Sequence, residues 1–348
     1  MRSVLLNCCA MFLGAAGAMA QPLYFPPATG EWNTINPNEL GWCNERIDSL
    51  YQFLEVNQSK AFILLKDGKI VLENYFNGHS ETANWYWASA GKTLTAFMVG
   101  QAQQQGLLDI DEPTSNYLGQ GWTSCTAEQE QAITIRNQLS MTTGLNDEVA
   151  DDDCTDSPCL EYLANAGSRW AYHNAPYTLL DGVITNATSK TLNAYISEQL
   201  LTKIGMDGSY LKIDLNNVFF STPRSMARFG LLLLNKGKWD QTQLIPEDYL
   251  TLMTTTSQNI NLSYGYLTWL NGKASSMVPG SQVVFPGEIT SNAPDDMFAA
   301  MGKNGQLINV VPSKMLVMIR MGDVPDASLV PLTFQNEIWA KLNSIIIN

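Results

Sequence analysis

Histidine is scarce in this chain: 348 residues contain two, His79 and His173. A histidine-rich metal centre is therefore excluded, and the cysteines show no zinc spacing in its place. Charge is sparse as well, at 15% of residues, and acidic side chains outnumber basic ones 33 to 20. No lysine/arginine cluster offsets the formal net charge of -13, so the chain has no attraction to phosphate backbones and nucleic-acid binding is excluded. Short-period repeats and low-complexity tracts are missing, which rules out collagen-like, coiled-coil and solenoid architectures. Beyond the N-terminus no apolar run approaches the roughly 20 residues that a membrane span needs. What is present is 45% hydrophobic residues, enough to build one large core or two modest ones.

The N-terminus reads as a targeting segment. Arg2 precedes an apolar run from Val4 to about Ala18, and Ala18-Met19-Ala20 supplies the small-x-small pattern of a signal-peptidase site. Residues 1–20 are thus expected to be a signal peptide, and the protein to be exported, periplasmic or extracellular, with no stable membrane insertion after the signal is removed. Cys8 and Cys9 leave with that segment. Four cysteines remain, and an even number in an exported chain favours disulfides. Cys154 and Cys159 close a short loop and are paired here; Cys43 and Cys125 are then paired by elimination, one of three arithmetically allowed connectivities.

Hydrophobic spacing predicts a helix over 44–56, then a hairpin of AFILLK and KIVLENYF around Asp67-Gly68. A second helix starts at Gly91, and residues to about 230 read mostly as helices and loops. Strand patterns return in MFAAMG, QLINVVP and KMLVMIRMG, and an amphipathic helix ends the chain. Strands at both ends and helices between them predict an α+β fold: one antiparallel sheet of about five strands, terminal helices on one face and a mostly helical insertion. The expected division is a sheet domain from 21–88 and 231–348 and a helical domain over 89–230, with the active site between them.

Three short motifs carry chemistry. Ser89 and Lys92 open the second helix three residues apart, so their side chains share a face. Lysine can take the proton of a serine hydroxyl if its pKa is lowered, and a serine at a helix start offers its own backbone N–H to an oxyanion. Tyr172-His173-Asn174 supplies a phenol for proton transfer and an amide for substrate positioning. Lys303-Asn304-Gly305 lies where two predicted strands meet; its glycine permits close approach of a ligand, and the Gln306 N–H is a candidate second oxyanion donor. Each motif has a decoy elsewhere, at Ser209–Lys212, Tyr75–Asn77 and Lys203–Gly205. Aromatic residues Trp85, Tyr86, Trp87, Trp170, Tyr264, Tyr266 and Trp269 cluster near the motifs and suit either an acyl pocket or the core. His79 is near Ser89 in sequence but sits in a polar turn, which argues against a Ser-His-Asp triad.

Taken in order, SAGK, YHN and KNG resemble the three boxes of the serine β-lactamase and penicillin-binding-protein superfamily, in particular its class C-type branch. That branch holds β-lactamases, DD-peptidases, esterases and 6-aminohexanoate-dimer hydrolases. Flanking segments are similar too, among them GLLDIDEPTSNYL, ITIRNQLSMTTGL and ARFGLLLLNKGKW, so the resemblance covers roughly residues 45–345. It implies Ser89 as the acylated nucleophile, Lys92 and Tyr172 as the acid–base pair, and Asn174, Lys303 and Gly305 as substrate-positioning residues. The oxyanion hole would be the backbone N–H groups of Ser89 and Gln306. Two departures stand out: His173 replaces a small residue, and KNG replaces KTG, which removes a hydroxyl that usually meets a β-lactam carboxylate.

The expectation is an exported serine hydrolase acting on a small-molecule ester, amide or peptide through an acyl-enzyme, with no cofactor and no metal. A β-lactamase or DD-peptidase is the alternative enzyme, and a penicillin- or acyl-trapping sensor the alternative that turns nothing over. Loops 145–165 and 270–295 are placed where they could cover the site.

Overall fold

The computed structural model describes residues 23–326, 328 and 330–346. The expected signal peptide lies outside the described residues. The chain enters through helix α1 (Ile47–Val56), which buries Leu50 and Leu54. Strands β1 (Ser59–Lys66) and β2 (Lys69–Tyr75) follow as the expected hairpin, and Asp67 and Gly68 both have positive φ, as a tight type I′ turn requires. A two-residue strand β3 (Trp85–Tyr86) leads into α2 (Gly91–Gln104), which is buried from Gly91 to Ala102 and forms the spine of the molecule. After three short helices, Ser115–Leu118, Ala127–Gln131 and Ile135–Leu139, come α3 (Asn174–Thr178) and α4 (Leu180–Thr188), and later a hairpin of β4 (Ser209–Ile213) and β5 (Asn216–Ser221). Helix α5 (Pro223–Leu234) starts cleanly, with Thr222 Oγ1 accepting from the Ser225 N–H and proline at its first position. Strands β6 (Trp269–Leu270), β7 (Phe298–Gly302), β8 (Gln306–Val311) and β9 (Leu316–Gly322) and helix α6 (Leu332–Ile345) close the chain.

The main sheet has six strands in the order β2-β1-β9-β8-β7-β6, all antiparallel. Both chain ends therefore build one sheet, one strand wider than expected because the short β6 adds to β7. Strands β8 and β9 are buried along their whole length, so both of their faces are covered. The period of two decides which side chain meets which helix. Ile308, Val317 and Ile319 face α5, where Gly230 permits contact: a Cβ there would stand 2.5 Å from Val317 Cγ1. Asn309 and Arg320 face α6, through hydrogen bonds from Trp339 (2.8 Å) and Gln335 (3.2 Å) to Asn309 and through Arg320 stacked on Phe334. α1 lies beside α6 on this face, with Phe53 stacked on Phe334. Each large apolar side chain so enclosed contributes roughly 1.5–3 kcal/mol.

The residues between the sheet halves are not purely helical. β3, β5 and β4 form a separate three-stranded antiparallel sheet. The expected division at residues 230 and 231 falls inside α5.

One expected disulfide is present and the other is not. Cys154 and Cys159 are bonded, with Cα atoms 5.9 Å apart. Cys43 and Cys125 are both free thiols. Cys43 is tied to the sheet side of the molecule, its N–H donating to the Ile345 carbonyl at the end of α6. Cys125 sits against Leu160 beside a small separate core of Trp122, Ile133, Leu145, Leu160 and Ala175. Elimination failed because the two cysteines are held by different packing units.

Candidate functional site

Ser89 is carried by a short 3-10 turn, Ala88–Ala90, that runs directly into α2. The turn is held from two sides. The Trp87 N–H donates to the Phe219 carbonyl at 2.8 Å, and Trp87 Nε1 donates to Ser221 Oγ at 2.8 Å, pinning it to β5. Ala88 takes a positive φ of 47°, a conformation that L residues avoid, so the surrounding packing holds the backbone in strain just before Ser89. The helical spacing then places Lys92 as expected: its Nζ donates to Ser89 Oγ at 3.0 Å.

Lys92 is 4% exposed. Its Nζ lies 4.2 Å from the centre of the Tyr177 ring and 5.1 Å from that of Tyr172. Burial pulls its pKa down to about 7, against the opposing pull of Asp153, Asp152 and Asp181. Tyr172 stacks on Trp269 and meets Tyr264 edge-on. Burial pushes its phenol well above 10, partly offset by a hydrogen bond with Ser89. At neutral pH the site thus holds a neutral phenol and a lysine near its midpoint on the same serine.

These side chains line a cavity of about 420 Å³. Ser89, Lys92, Tyr172, Asn174 and Lys303 all border it, as do Tyr177, Asn216, Asn217 and Val218. Asp152 and Asp153 from loop 145–165, just before the disulfide, and Pro279 and Gly280 from loop 270–295 contribute to the wall. Both loops thus border the cavity, as their position in the sequence suggested. Asn174 opens α3, and its Oδ1 is buried without a partner, open to a donor from a ligand. A larger open cleft of about 770 Å³, around Tyr24 and Trp239, contains none of the motif residues.

The third motif is placed differently from expectation. Lys303-Asn304-Gly305 is the tight turn between β7 and β8, with Asn304 at φ 63°. Only Lys303 borders the cavity. Gly305 faces Arg320 and Phe334 on the α6 side. The Gln306 side chain is fully buried and bonds the Gly322 backbone in both directions, at 2.6 and 3.0 Å. The residue that lies against Ser89 is Gly302: a Cβ on it would stand 3.0 Å from the Ser89 nitrogen and 2.5 Å from the Trp87 carbonyl oxygen. A glycine that closes a strand just before the motif is the sequence signal for this contact.

Three further residues carry weight that their sequence positions did not show. Arg320 is fully buried on β9 and donates to the carbonyls of Asn304, Gly305, Asn57 and Asp323 and to Ser59 Oγ, clamping the β7–β8 turn. Asn304 Nδ2 donates to Tyr86 Oη at 2.7 Å, fixing the same turn from β3. Asp181, on α4, is buried behind Lys92 and accepts from Asn217 at 2.6 Å. Of the clustered aromatics, Trp87, Trp170, Tyr264, Tyr266 and Trp269 are core residues. His79 packs edge-on against Trp85 and does not border the cavity. Lys212 of the decoy motif is exposed on β4. Among the described residues, the carboxylates close enough to share a cation are Asp151, Asp152 and Asp153, with oxygens within 4.8 Å.

A six-stranded antiparallel sheet built from both chain ends, with a Ser-x-x-Lys turn docked against the Gly302 end of β7, defines the β-lactamase-like class of serine-hydrolase folds. The chain belongs to the Beta-lactamase family, whose sequence profile matches residues 57–321. It is similar to an uncharacterised protein of Alkalihalophilus pseudofirmus, 23% identical over 77% of this chain and 84% of that one. It is also 23% identical to a provisionally named penicillin-binding protein of Bacillus subtilis, over 47% of this chain and only 43% of that longer relative. Among solved structures, a provisionally named 6-aminohexanoate-dimer hydrolase of Bacillus anthracis superposes with a TM-score of 0.69. That match spans 92% of this chain and 89% of the other at 18% identity, a likeness of fold. Among the described residues no helix is long and apolar enough to cross a membrane.

Proposed function

We propose that the protein is an exported serine hydrolase that cleaves a small ester or amide through an acyl-enzyme on Ser89. The observation that carries this reading is the 3.0 Å contact between Lys92 Nζ and Ser89 Oγ at the wall of a 420 Å³ cavity. Once neutral, Lys92 reverses that contact and accepts the Ser89 proton as Oγ adds to the substrate carbonyl. Tyr172, a neutral phenol beside Ser89 and Lys92, relays the proton from Lys92 to the leaving oxygen or nitrogen. In the second half-reaction the same pair takes a proton from water, which attacks the ester carbonyl and returns Ser89 to its hydroxyl form. The Ser89 N–H is one oxyanion donor, and we take the backbone at Gly302–Lys303 as the second in place of Gln306, on the ground that Gly302 lies against the Ser89 turn. Asn174 offers an acceptor to the substrate, and Lys303 a cation at the rim.

The test is turnover of a p-nitrophenyl ester and a chromogenic cephalosporin by the mature chain, with Ser89→Ala as control. Ester hydrolysis lost in Ser89→Ala, with no cephalosporin turnover, is the expected result. Cephalosporin turnover would make the protein a β-lactamase. A stable Ser89 adduct without turnover would make it an acyl trap. Full activity in Ser89→Ala would overturn the assignment.

A further inference from the structure

Lys92 does not stand alone in the buried interior. Behind it, away from the cavity, lies a second polar cluster. The Tyr177 ring, 4.2 Å below Lys92 Nζ, carries its hydroxyl towards Thr95 Oγ1 (3.4 Å), which also contacts Tyr210 Oη at 3.1 Å. Asp181, one helical turn beyond Tyr177, is 8% exposed and acts electrostatically on Tyr177, Tyr210 and Lys92. Its Oδ2 accepts from Asn217 Nδ2 at 2.6 Å, and its Oδ1 is buried with no partner at all. A buried carboxyl with one empty acceptor is costly to keep. The neighbouring positions Leu180 and Val183 are apolar and fully buried.

We infer that Asp181 is a positioning residue for the proposed reaction, a sealed carboxyl that helps to set the pH at which Lys92 gives up its proton and becomes a base. The inference rests on the serine-hydrolase reading above. The groups facing Lys92 are Ser89, Tyr172, Tyr177, Asp152, Asp153 and Asp181. Those facing Asp181 are Asn217, Tyr177, Tyr210 and Lys92. Asp153 and Asp152 pull harder on Lys92 than Asp181 does, but both border the open cavity. Asp152 is half-buried at the cavity wall, where water, salt and bound substrate change its effect, while Asp153 keeps one carboxylate oxygen buried. Asp181 is walled off by Asn217 and the tyrosines, so its effect persists when the cavity is filled. Burial raises its own carboxyl to about 7, so it and Lys92 titrate over the same range and behave as a coupled pair. Removing the carboxylate leaves Lys92 with burial and less attraction, so it becomes neutral at lower pH. Asn217 belongs to the same device. It donates to the carboxylate and favours the charged form, and it hands the state of Asp181 to the cavity wall.

The experiment is the rate at which a fluorophosphonate modifies Ser89, followed by intact mass from about pH 5 to 9, in the native chain, Asp181→Asn and Asn217→Ala. The expected result is an acid limb moved to lower pH by about half a unit in Asp181→Asn, insensitive to added salt. Asn217→Ala, which destabilises the charged carboxylate, should move it the same way by less, and carries the test alone if Asp181→Asn fails to fold. A midpoint unchanged in the folded variants, with only the plateau rate lowered, would overturn the inference and leave Asp181 a structural residue. A native Ser89 that does not react at any pH would overturn the hydrolase reading itself, and this inference with it.

Discussion

Gly302 and Ser89 touch backbone to backbone: the place where a Cβ would stand on Gly302 is 3.0 Å from the Ser89 nitrogen. The same point is 2.9 Å from the Ala90 nitrogen and 2.5 Å from the Trp87 carbonyl oxygen. No flexible side chain is there to yield. Gly302→Ala must push the β7 end away from the turn that carries Ser89. The expected outcome is a loss of at least about 100-fold in kcat/KM, with a stability cost of about 1–3 kcal/mol. Steady-state kinetics beside thermal melting check it, and a Gly302→Ala variant of native activity would show that β7 does not border the reacting centre.

Arg320 donates to the Asn304 and Gly305 carbonyls of the β7–β8 turn, and ties that turn to the Asn57 and Asp323 carbonyls and to Ser59 Oγ. Arg320→Met keeps the apolar stem over Phe334 but leaves those carbonyls without a donor. A loss of about 2–4 kcal/mol in urea unfolding is expected. Arg320→Lys should not rescue it, because an ammonium has three donors and no planar fork.

His173 is 2% exposed, and neither ring nitrogen has a partner. Burial first, and then Arg169, lower its pKa to about 4, against the pull of Asp147 and Asp153. Between about 4 and 6.5 the unfolded chain therefore binds the proton that the folded chain refuses, and stability contributed here falls as pH drops through that window. Asp181, whose carboxyl is raised, works in the opposite sense from about 4 to 7, so the measurement must be a difference. His173→Gln should lose less stability than the native chain between about pH 6.5 and 4, by roughly 2 kcal/mol. Parallel stability curves for the two chains would contradict the buried neutral imidazole.

The cysteines give a chemical check on the fold. Thiol titration of the denatured, unreduced mature chain should find two reactive groups, Cys43 and Cys125, with Cys154 and Cys159 closed. Reduction should raise the count to four. No free thiol before reduction would restore the Cys43–Cys125 pairing that the structure rejects.

What was legible in the sequence was local. The Asp67-Gly68 turn, α1, the late meander and α6 lie where periodicity and turn chemistry put them, because each is decided within about ten residues. The serine–lysine contact was legible for the same reason, since helical spacing alone brings positions 89 and 92 together. The order of the three motifs was enough to point to the family. The hairpin of β4 and β5 falls in the stretch read mostly as helices and loops, and its place in a sheet depends on β5 pairing with β3, more than a hundred residues earlier.

Tertiary packing decided the rest. Which glycine borders Ser89 depends on how β7 docks against a turn some two hundred residues before it, and spacing within KNG says nothing about that. Asp181 and Arg320 read in the sequence as ordinary polar residues of a helix and a strand. Their burial, and so the effect of each charge, depends on what α2, β5 and α6 place around them, since the strength of a charge is set by the water its neighbours exclude. Cys43 and Cys125 make the same point in reverse: their number suggested a bond, and the packing of separate units kept them apart.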